Sequence, residues 1–200
     1  GLADARNSPL GDESVDLIVT SPPYLNRNNY IAQNKLELFM MGCVSDMKSY
    51  RELTHNTLRS HVEAKYEDVG EYQHPLVKKH LDKLSTLPLN NAKIGEMIEG
   101  YFRDMNMVIS ELSRVTKSGG KCFFVVANSA WEGIYFETDK ILSDMFINHG
   151  FDVEEIRITR LKNNSAQQIK KFGKIKIRES IIVANKRGRI DGSGNTGVQY

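Results

Sequence analysis

The stretch "DLIVTSPPYLNRNNY", residues 16–30, carries an abrupt change of character. Val15 to Thr20 reads as a strand whose apolar run is continuous rather than alternating, the pattern of a strand buried on both faces of a parallel sheet. It runs straight into Ser21-Pro22-Pro23-Tyr24. Neither proline has an N–H to donate and each restricts the residue before it, so the pair ends the strand. The same rigidity fixes the neighbouring carbonyls and the Ser21 hydroxyl in direction, with a flat Tyr24 beside them.

Working outward, residues 46–66 read as a polar helix, followed by an irregular insertion around "HPLVKKHLDKLSTLPLNN" that is too long for a simple connection. Ile94, Ile98, Tyr101, Met105, Val108, Leu112 and Val115 recur at steps of four and three on one helical face. Ser118-Gly119-Gly120 is expected to stop that helix, and "KCFFVVA" to form a second buried strand. A short helix is expected to open at Thr138 and Asp139 and to close at Gly150. Two strands follow, near residues 153–160 and 174–184, joined by the polar loop "LKNNSAQQIKKFG". Strands alternating with helices, then two strands joined without one, predict an α/β sheet, parallel at first and antiparallel at its last strand. Ligands of such sheets bind at the carboxyl ends of the strands, where residues 21–24 fall.

The 200 residues, 40% hydrophobic, suffice for one domain with a core. No apolar run approaches the roughly 18 residues of a membrane span, and the sequence opens on no basic-then-apolar leader, which predicts a cytoplasmic protein. Cys43 and Cys122 are read as reduced bystander thiols. The five histidines (55, 61, 74, 80, 149) lack zinc-ligand spacing, and no metal is expected. Phosphate-loop and nucleophile-elbow motifs are missing. The net charge of +2 is uneven: residues 157–189 hold eleven Lys or Arg and the one acid Glu179, +10, which leaves −8 elsewhere. A one-sided distribution of this kind suits a polyanion partner, or else is a solvated hairpin.

Fixed acceptors beside a flat ring suit a planar substrate with an exocyclic amino group, because the acceptors take the amino hydrogens while the ring stacks. Drawing that amine out of conjugation frees its lone pair for an electrophilic methyl group. A nucleobase is the obvious substrate.

"DLIVTSPPY" resembles the catalytic motif of the amino-methyltransferases that act on DNA bases. "YFRDMNMVISELSRVTKSGGKCFFVVANS" and "RESIIVANK" are similar to later segments of the same S-adenosylmethionine-dependent domain, so the resemblance spans most of residues 1–187 and is weakest over the insertion at about 31–93. It implies a Rossmann-like class I methyltransferase sheet with helices on both faces, S-adenosylmethionine as cofactor and DNA as partner. By position, Ser21 and the Pro22 carbonyl would hold the target amine, Pro23 would shape the turn, and Tyr24 would stack a base flipped from the duplex. Asp4 resembles the acid that meets the cofactor's adenine, with a loop cap as the alternative. Asn26, Arg27 and Asn28 are candidates for cofactor, base or DNA backbone contacts or for caps, and Asn128 has the same alternatives. Arg27, Lys170, Lys171 and Lys174 are the expected nucleic-acid contacts. Serine in the first motif position suits cytosine N4; adenine N6, an RNA base, and a non-catalytic nucleic-acid-binding subunit are the alternatives. Carbon-5 methylation is disfavoured, since no Pro-Cys pair exists.

The family's glycine-rich cofactor turn has no counterpart before Asp4; "IDGSGNTG", residues 190–197, falls in a segment, 188–200, read as a mobile tail. In the family's sheet order 3-2-1-4-5-7-6 the chain would supply 4-5-7-6, which leaves residues 15–20 on an open edge. The expectation is the carboxyl-terminal half of a methyltransferase domain, whose amino-terminal half lies on a preceding segment or another chain. The insertion and residues 167–174 are expected to set the recognition sequence.

Overall fold

Parallel neighbours in a sheet cannot be joined by a hairpin, and that constraint organises the chain. The computed structural model describes residues 3–64 and 74–188. In it β1 (Val15–Thr20) pairs in parallel with β2 (Thr116–Ala127). The crossover between them holds α1 (Tyr30–Gln33), α2 (Lys35–Met40), α3 (Met47–Asn56), α4 (Pro75–Ser85) and the long α5 (Ile94–Val115). After β2 come a small hairpin, β3 (Ser129–Trp131) and β4 (Ile134–Phe136), then α6 (Thr138–Asn148), β5 (Phe151–Asn163), α7 (Ala166–Phe172) and β6 (Lys176–Lys186). The four-stranded sheet has the order β1-β2-β6-β5, with β6 antiparallel to both neighbours. This is the expected 4-5-7-6 arrangement.

The core forms where the apolar stripe of α5 and that of α6 meet alternate residues of the strands. Tyr101, Met105 and Ile109 of α5, Leu142 and Phe146 of α6, Cys122, Phe124 and Val126 of β2, and Ile182 of β6 are fully buried. Phe146 packs edge-on against both Phe124 and Phe151, at 5.3 and 5.2 Å between ring centroids, a favoured geometry for aromatic pairs. Burial in this layer pushes the Cys122 thiol up to about 12, so it is protonated and inert at neutral pH.

The apolar stripes of α5 and α6 pack on one face of the sheet, in a single core with Phe124, Val126 and Ile182. Successive crossovers from β1 to β2 and from β2 to β5 advance in the same direction across the sheet, so with a common handedness α5 and α6 fall on the same side. Leu17 and Val19, 56% and 70% exposed, mark the other face along the outer strand. The two-sided burial expected for residues 15–20 is therefore not met within this chain.

Several boundaries differ from the sequence reading. Gly119 and Gly120 do not cap α5; they lie inside β2, where the register against β1 jumps from Val15↔Thr116 to Leu17↔Lys121. Gly119 has φ +76°, and a Cβ on Gly120 would come within 3.0 Å of the Asp16 carbonyl, so the pair makes a bulge. The helix ends instead at Val115, with the Thr116 hydroxyl donating to the Leu112 carbonyl at 2.5 Å. The helix expected to run from residue 46 stops at Asn56, started by a capping box between Asp46 and Ser49. The stretch read as irregular contains α4, opened by Pro75 in its first turn and by the His74 ring accepting from the Leu76 amide. The polar loop before β6 contains α7, and residues 65–73 and 189–200, the latter including nearly all of the expected tail, lie outside the described residues. No described helix is long and apolar enough to cross a membrane.

The segment before β1 is tied to α5 by charge. Glu111 accepts from the Ser8 amide and hydroxyl, both at 2.8 Å, and pairs with Arg114, which also reaches Asp12. The Arg114 guanidinium, helped by Ser8, holds the Glu111 carboxyl down at about 2. A depressed folded-state value contributes stability that is complete above the ordinary carboxylate range and is lost as pH falls toward 2. The NMR amide resonance of Ser8 should therefore stay native-like down to about pH 4 and shift as pH falls toward 2, whereas Glu111→Gln should shift it at neutral pH.

Candidate active site

The end of β1 delivers residues 21–24 to the carboxyl edge of the sheet, beside the end of β2 at Ala127 and Asn128. Pro22, Pro23 and Tyr24 are half-buried while Ser21 is exposed. Leu25, fully buried in the core, anchors the far side of the turn, so the prolines are held between a strand and an apolar plug. The Ser21 hydroxyl donates to the Tyr24 hydroxyl at 3.4 Å, a long contact that leaves it available for a shorter one. Tyr24 lies within electrostatic reach of Tyr101 and Arg160, and Tyr30 within reach of Tyr101. The Tyr101 hydroxyl is completely buried with no hydrogen-bond partner among the described residues, and burial, with Tyr30 and Tyr24 adding to it, pushes this phenol well above its ordinary value.

The amides after the turn are spent locally. Asn26 Oδ1 accepts from the Asn28 amide at 3.1 Å, Asn28 Oδ1 from Gln33 at 2.9 Å, and Asn29 caps α1 through the Ala32 amide at 2.9 Å. Between them Arg27 takes φ +64°, an uncommon conformation for a residue with a Cβ, and its side chain has no carboxylate partner among the described residues. Asn128 is committed at both ends: its Nδ2 donates to the Tyr135 hydroxyl at 3.0 Å and its Oδ1 accepts from the Asp139 amide at 3.0 Å. That makes it the cap of α6, the alternative reading of this residue. Asp139 beneath it is buried and bonds Arg178 and Ser180 at 2.6 and 2.9 Å. Burial alone would raise its carboxyl, but these partners outweigh it and hold Asp139 below its ordinary value. The network fastens the end of β2 and the start of β6 to the start of α6.

Asn26, Arg27 and Asn128 come together around one cleft of about 360 Å³ that also takes in Ser129 and Trp131 of the hairpin and Gln168 of α7. Asp4 stands apart from it. Its carboxylate lies on Arg6 at 2.8 Å, and Arg6 continues to Asp104 at 3.3 Å, which also holds the buried Arg59 at 2.7 Å. The Arg6 guanidinium holds the Asp4 carboxyl below its usual range, so Asp4 is charged at neutral pH. Tyr101 and Asp104 are one turn apart on α5, so the same helix positions both the Tyr24 neighbourhood and the Asp4 cluster.

The basic run is largely paired. Arg160 and Lys162 share Glu179 at 2.8 and 2.9 Å, Arg178 meets Asp139, Arg187 meets Asp152 at 2.7 Å, and Arg157 meets Glu155. Lys171 is held by Glu132 at 2.5 Å. Among the described residues Lys170 on α7, Lys174 in the connection after it and Lys176 at the start of β6 have no carboxylate partner. The sequence reading passed over Tyr101, counted only as core, and Arg160. It also passed over the hairpin residue Trp131, although this is the only tryptophan of the chain.

An α/β sheet that ends a strand at its carboxyl edge places the turn that follows where ligands of such sheets bind. No protein-family model matches the chain. Among curated proteins, the Type II methyltransferase M.AvaI of Nostoc sp. is 35% identical over 187 residues, covering 86% of this chain and 38% of that protein. The Type II methyltransferase M.BsoBI of Geobacillus stearothermophilus is 30% identical over 202 residues, covering 88% and 39%. A solved structure of a candidate DNA modification methylase from Thermus thermophilus, 16% identical, covers 100% of this chain and 55% of that one at a TM-score of 0.48. Over 86–88% of its length the chain is similar in sequence to these Type II methyltransferases, and it spans about two fifths of the length of each.

Proposed function

We propose that this chain holds the target base in a DNA methyltransferase that transfers a methyl group from S-adenosylmethionine to an exocyclic amine, cytosine N4 in preference to adenine N6. The observation that carries the reading is the delivery of Ser21, Pro22, Pro23 and Tyr24 to the carboxyl edge of the sheet, with the two hydroxyls 3.4 Å apart. The Ser21 oxygen and the Pro22 carbonyl accept the two amino hydrogens, which turns the nitrogen lone pair out of the ring. Tyr24 stacks the flipped base, and Pro23 keeps these groups from relaxing. As the nitrogen gains its methyl group it sheds one proton to water, while the Ser21 and Pro22 oxygens keep the amine oriented through their hydrogen bonds. When bound, S-adenosylmethionine supplies the electrophilic methyl group. The residues present fit the cofactor at one end: Asp4 is a charged acceptor suited to an adenine amino group, whereas the Asn128 amide is already committed. The serine at the first position, as in the family that the motif resembles, supports the cytosine assignment.

The remaining contacts to the cofactor are proposed to come from an amino-terminal half that pairs with the outer edge of β1 and covers Leu17 and Val19. An exposed apolar edge strand is a template for such pairing. Calorimetry of this chain alone with S-adenosylmethionine should show weak binding or none; tight one-to-one binding would overturn the need for that half.

Nucleoside mass spectrometry of DNA incubated with the enzyme that contains this chain should yield N4-methylcytosine. N6-methyladenine would overturn the cytosine preference, and unmodified DNA the activity. Ser21→Ala should slow transfer roughly 100-fold through loss of a proton acceptor, and Tyr24→Ala should weaken DNA binding by about 1–3 kcal/mol through loss of stacking. Because Arg27, Lys170, Lys174 and Lys176 have no carboxylate partner among the described residues, the contribution of these four cations to the dependence of log K on log[salt] should have a slope of about −4. Eleven free cations would give about −10.

A further inference from the structure

We propose that Arg59, supplied by the insertion, is a positioning residue for Asp4: through Asp104 and Arg6 it holds that carboxylate in the direction in which it accepts the cofactor's adenine amino group. The proposal rests on the methyltransferase reading of Asp4. The contacts alternate in charge from Arg59 outward. Arg59 is buried and donates to Asp104 from its backbone amide, at 2.7 Å to Oδ2, and from Nη2, at 2.7 Å to Oδ1. Arg6 Nη1 donates to the same Oδ1 at 3.3 Å. The other edge of the Arg6 guanidinium lies on Asp4, with Nη2 2.8 Å from Oδ2 and Nε 3.0 Å from Oδ1.

A guanidinium bonded along two edges has its plane fixed, which a point charge on a flexible stem would not achieve. Arg6 also donates from Nη2 to the Asn56 carbonyl at 3.0 Å and from its backbone amide to Asp4 Oδ1 at 2.8 Å. A carboxylate has about four acceptor positions. The amide, Nε and Nη2 of Arg6 fill three of those on Asp4, which leaves one. Asp4, 47% exposed, is the member of the chain open to a ligand, whereas Asp104 and Arg59 are buried. One acceptor of fixed direction matches one amino hydrogen, and an acceptor ordered in advance loses less freedom on binding.

Burial of Asp104 by itself calls for a cation, and Arg59 supplies it. It does not call for Arg6, whose contact to Asp104 is the longest of the set and whose other donors go to Asp4 and Asn56. Arg6 is the link and Arg59 its anchor. Without the Arg59 guanidinium, the uncompensated Asp104 would draw the Arg6 fork inward and off Asp4. The same strap reaches the segment after the turn, since Ser60 Oγ donates to the Asn28 carbonyl at 3.4 Å. One short length of the insertion thus braces both the cofactor acid and the chain that leaves the base-holding turn.

The test uses the enzyme that contains this chain and S-adenosylhomocysteine, which binds without methyl transfer, beside its analogue with hydrogen in place of the adenine amino group. By calorimetry the unaltered enzyme should bind the amino form about tenfold more tightly, as a hydrogen bond to a charged group requires. Arg59→Met should weaken the amino form by about tenfold and the analogue by less than about twofold, with an unchanged circular dichroism spectrum. Arg6→Met, at a partly exposed position where folding tolerates change, should do the same. In an Asp4→Ala background neither substitution should lower the affinity further. In turnover both should raise KM for S-adenosylmethionine and leave kcat at saturation unchanged. Equal weakening of the two ligands, or the same weakening without Asp4, would assign Arg59 to folding alone and overturn the proposal, as would unchanged affinity in both variants. An unaltered enzyme indifferent to the amino group would overturn Asp4 as the adenine acceptor and this proposal with it. Methylated amines in the DNA would still uphold the methyltransferase reading, so the two failures are distinguishable.

Discussion

The parallel pairing of β1 with β2 is the constraint on which the rest depends. Two parallel neighbours start from the same edge, so the chain that leaves β1 at Thr20 must travel the whole height of the sheet before it can begin β2 at Thr116. That long return is where the crossover helices lie. The strand's end and the strand's neighbour both finish at the same edge, so a turn placed directly after β1 is at once exposed and flanked by the end of β2. The double proline exploits this position. It prevents the strand from continuing and makes the point of exit stiff, while Leu25 fixes the chain again within a single residue of Tyr24.

The helix α5 converts that edge into a site. Its apolar stripe fixes its rotation about its own axis, so the residues on and beside the stripe have no freedom of direction. Tyr101 is thereby aimed toward the Tyr24 neighbourhood, and Asp104, one turn on, draws in Arg59 and Arg6. The buried aspartate is tolerable because two guanidinium groups and a backbone amide surround it. Asp139 plays a comparable part at the start of α6, where Arg178, Ser180 and Asn128 converge on it or on its amide. These two charged centres tie loops to the sheet where apolar packing alone would leave polar groups without partners.

The elements legible in the sequence were those with a sustained period. The stripe of α5 and the apolar run of β2 each specify one structure, and the sheet order follows from their sequence and connections. Gly119-Gly120 misled because a glycine pair after a helix suits both a cap and a bulge, and only the register against β1 distinguishes them. The β3–β4 hairpin escaped because three-residue strands carry no period; its signal was Glu132-Gly133, whose positive φ values of 47° and 79° mark a tight hairpin turn. The basic run overstated the free positive charge. A tally along the chain counts neighbours in sequence, whereas the carboxylates that meet Arg160, Lys162 and Arg178 arrive from the facing strand or from α6. Of the residues singled out, Asn26 and Asn128 could not be assigned from sequence, because an amide beside a turn serves a ligand and a cap equally well.

The ribbon formed by β5 and β6 extends beyond its support. Opposite β2, β6 is paired from Asn185 back to Glu179; Arg178, Ile177 and Lys176 pair only with β5. The base of the ribbon is rooted in the core, whereas its tip carries α7, which rests against the β3–β4 hairpin through Lys171 on Glu132 and Phe172 beside Gly133. Substitutions at that tip change what the edge of the sheet presents without disturbing the packing that folds the domain. The overhang thus separates heritable change in recognition from the requirements of folding, and a lineage can retune one while conserving the other.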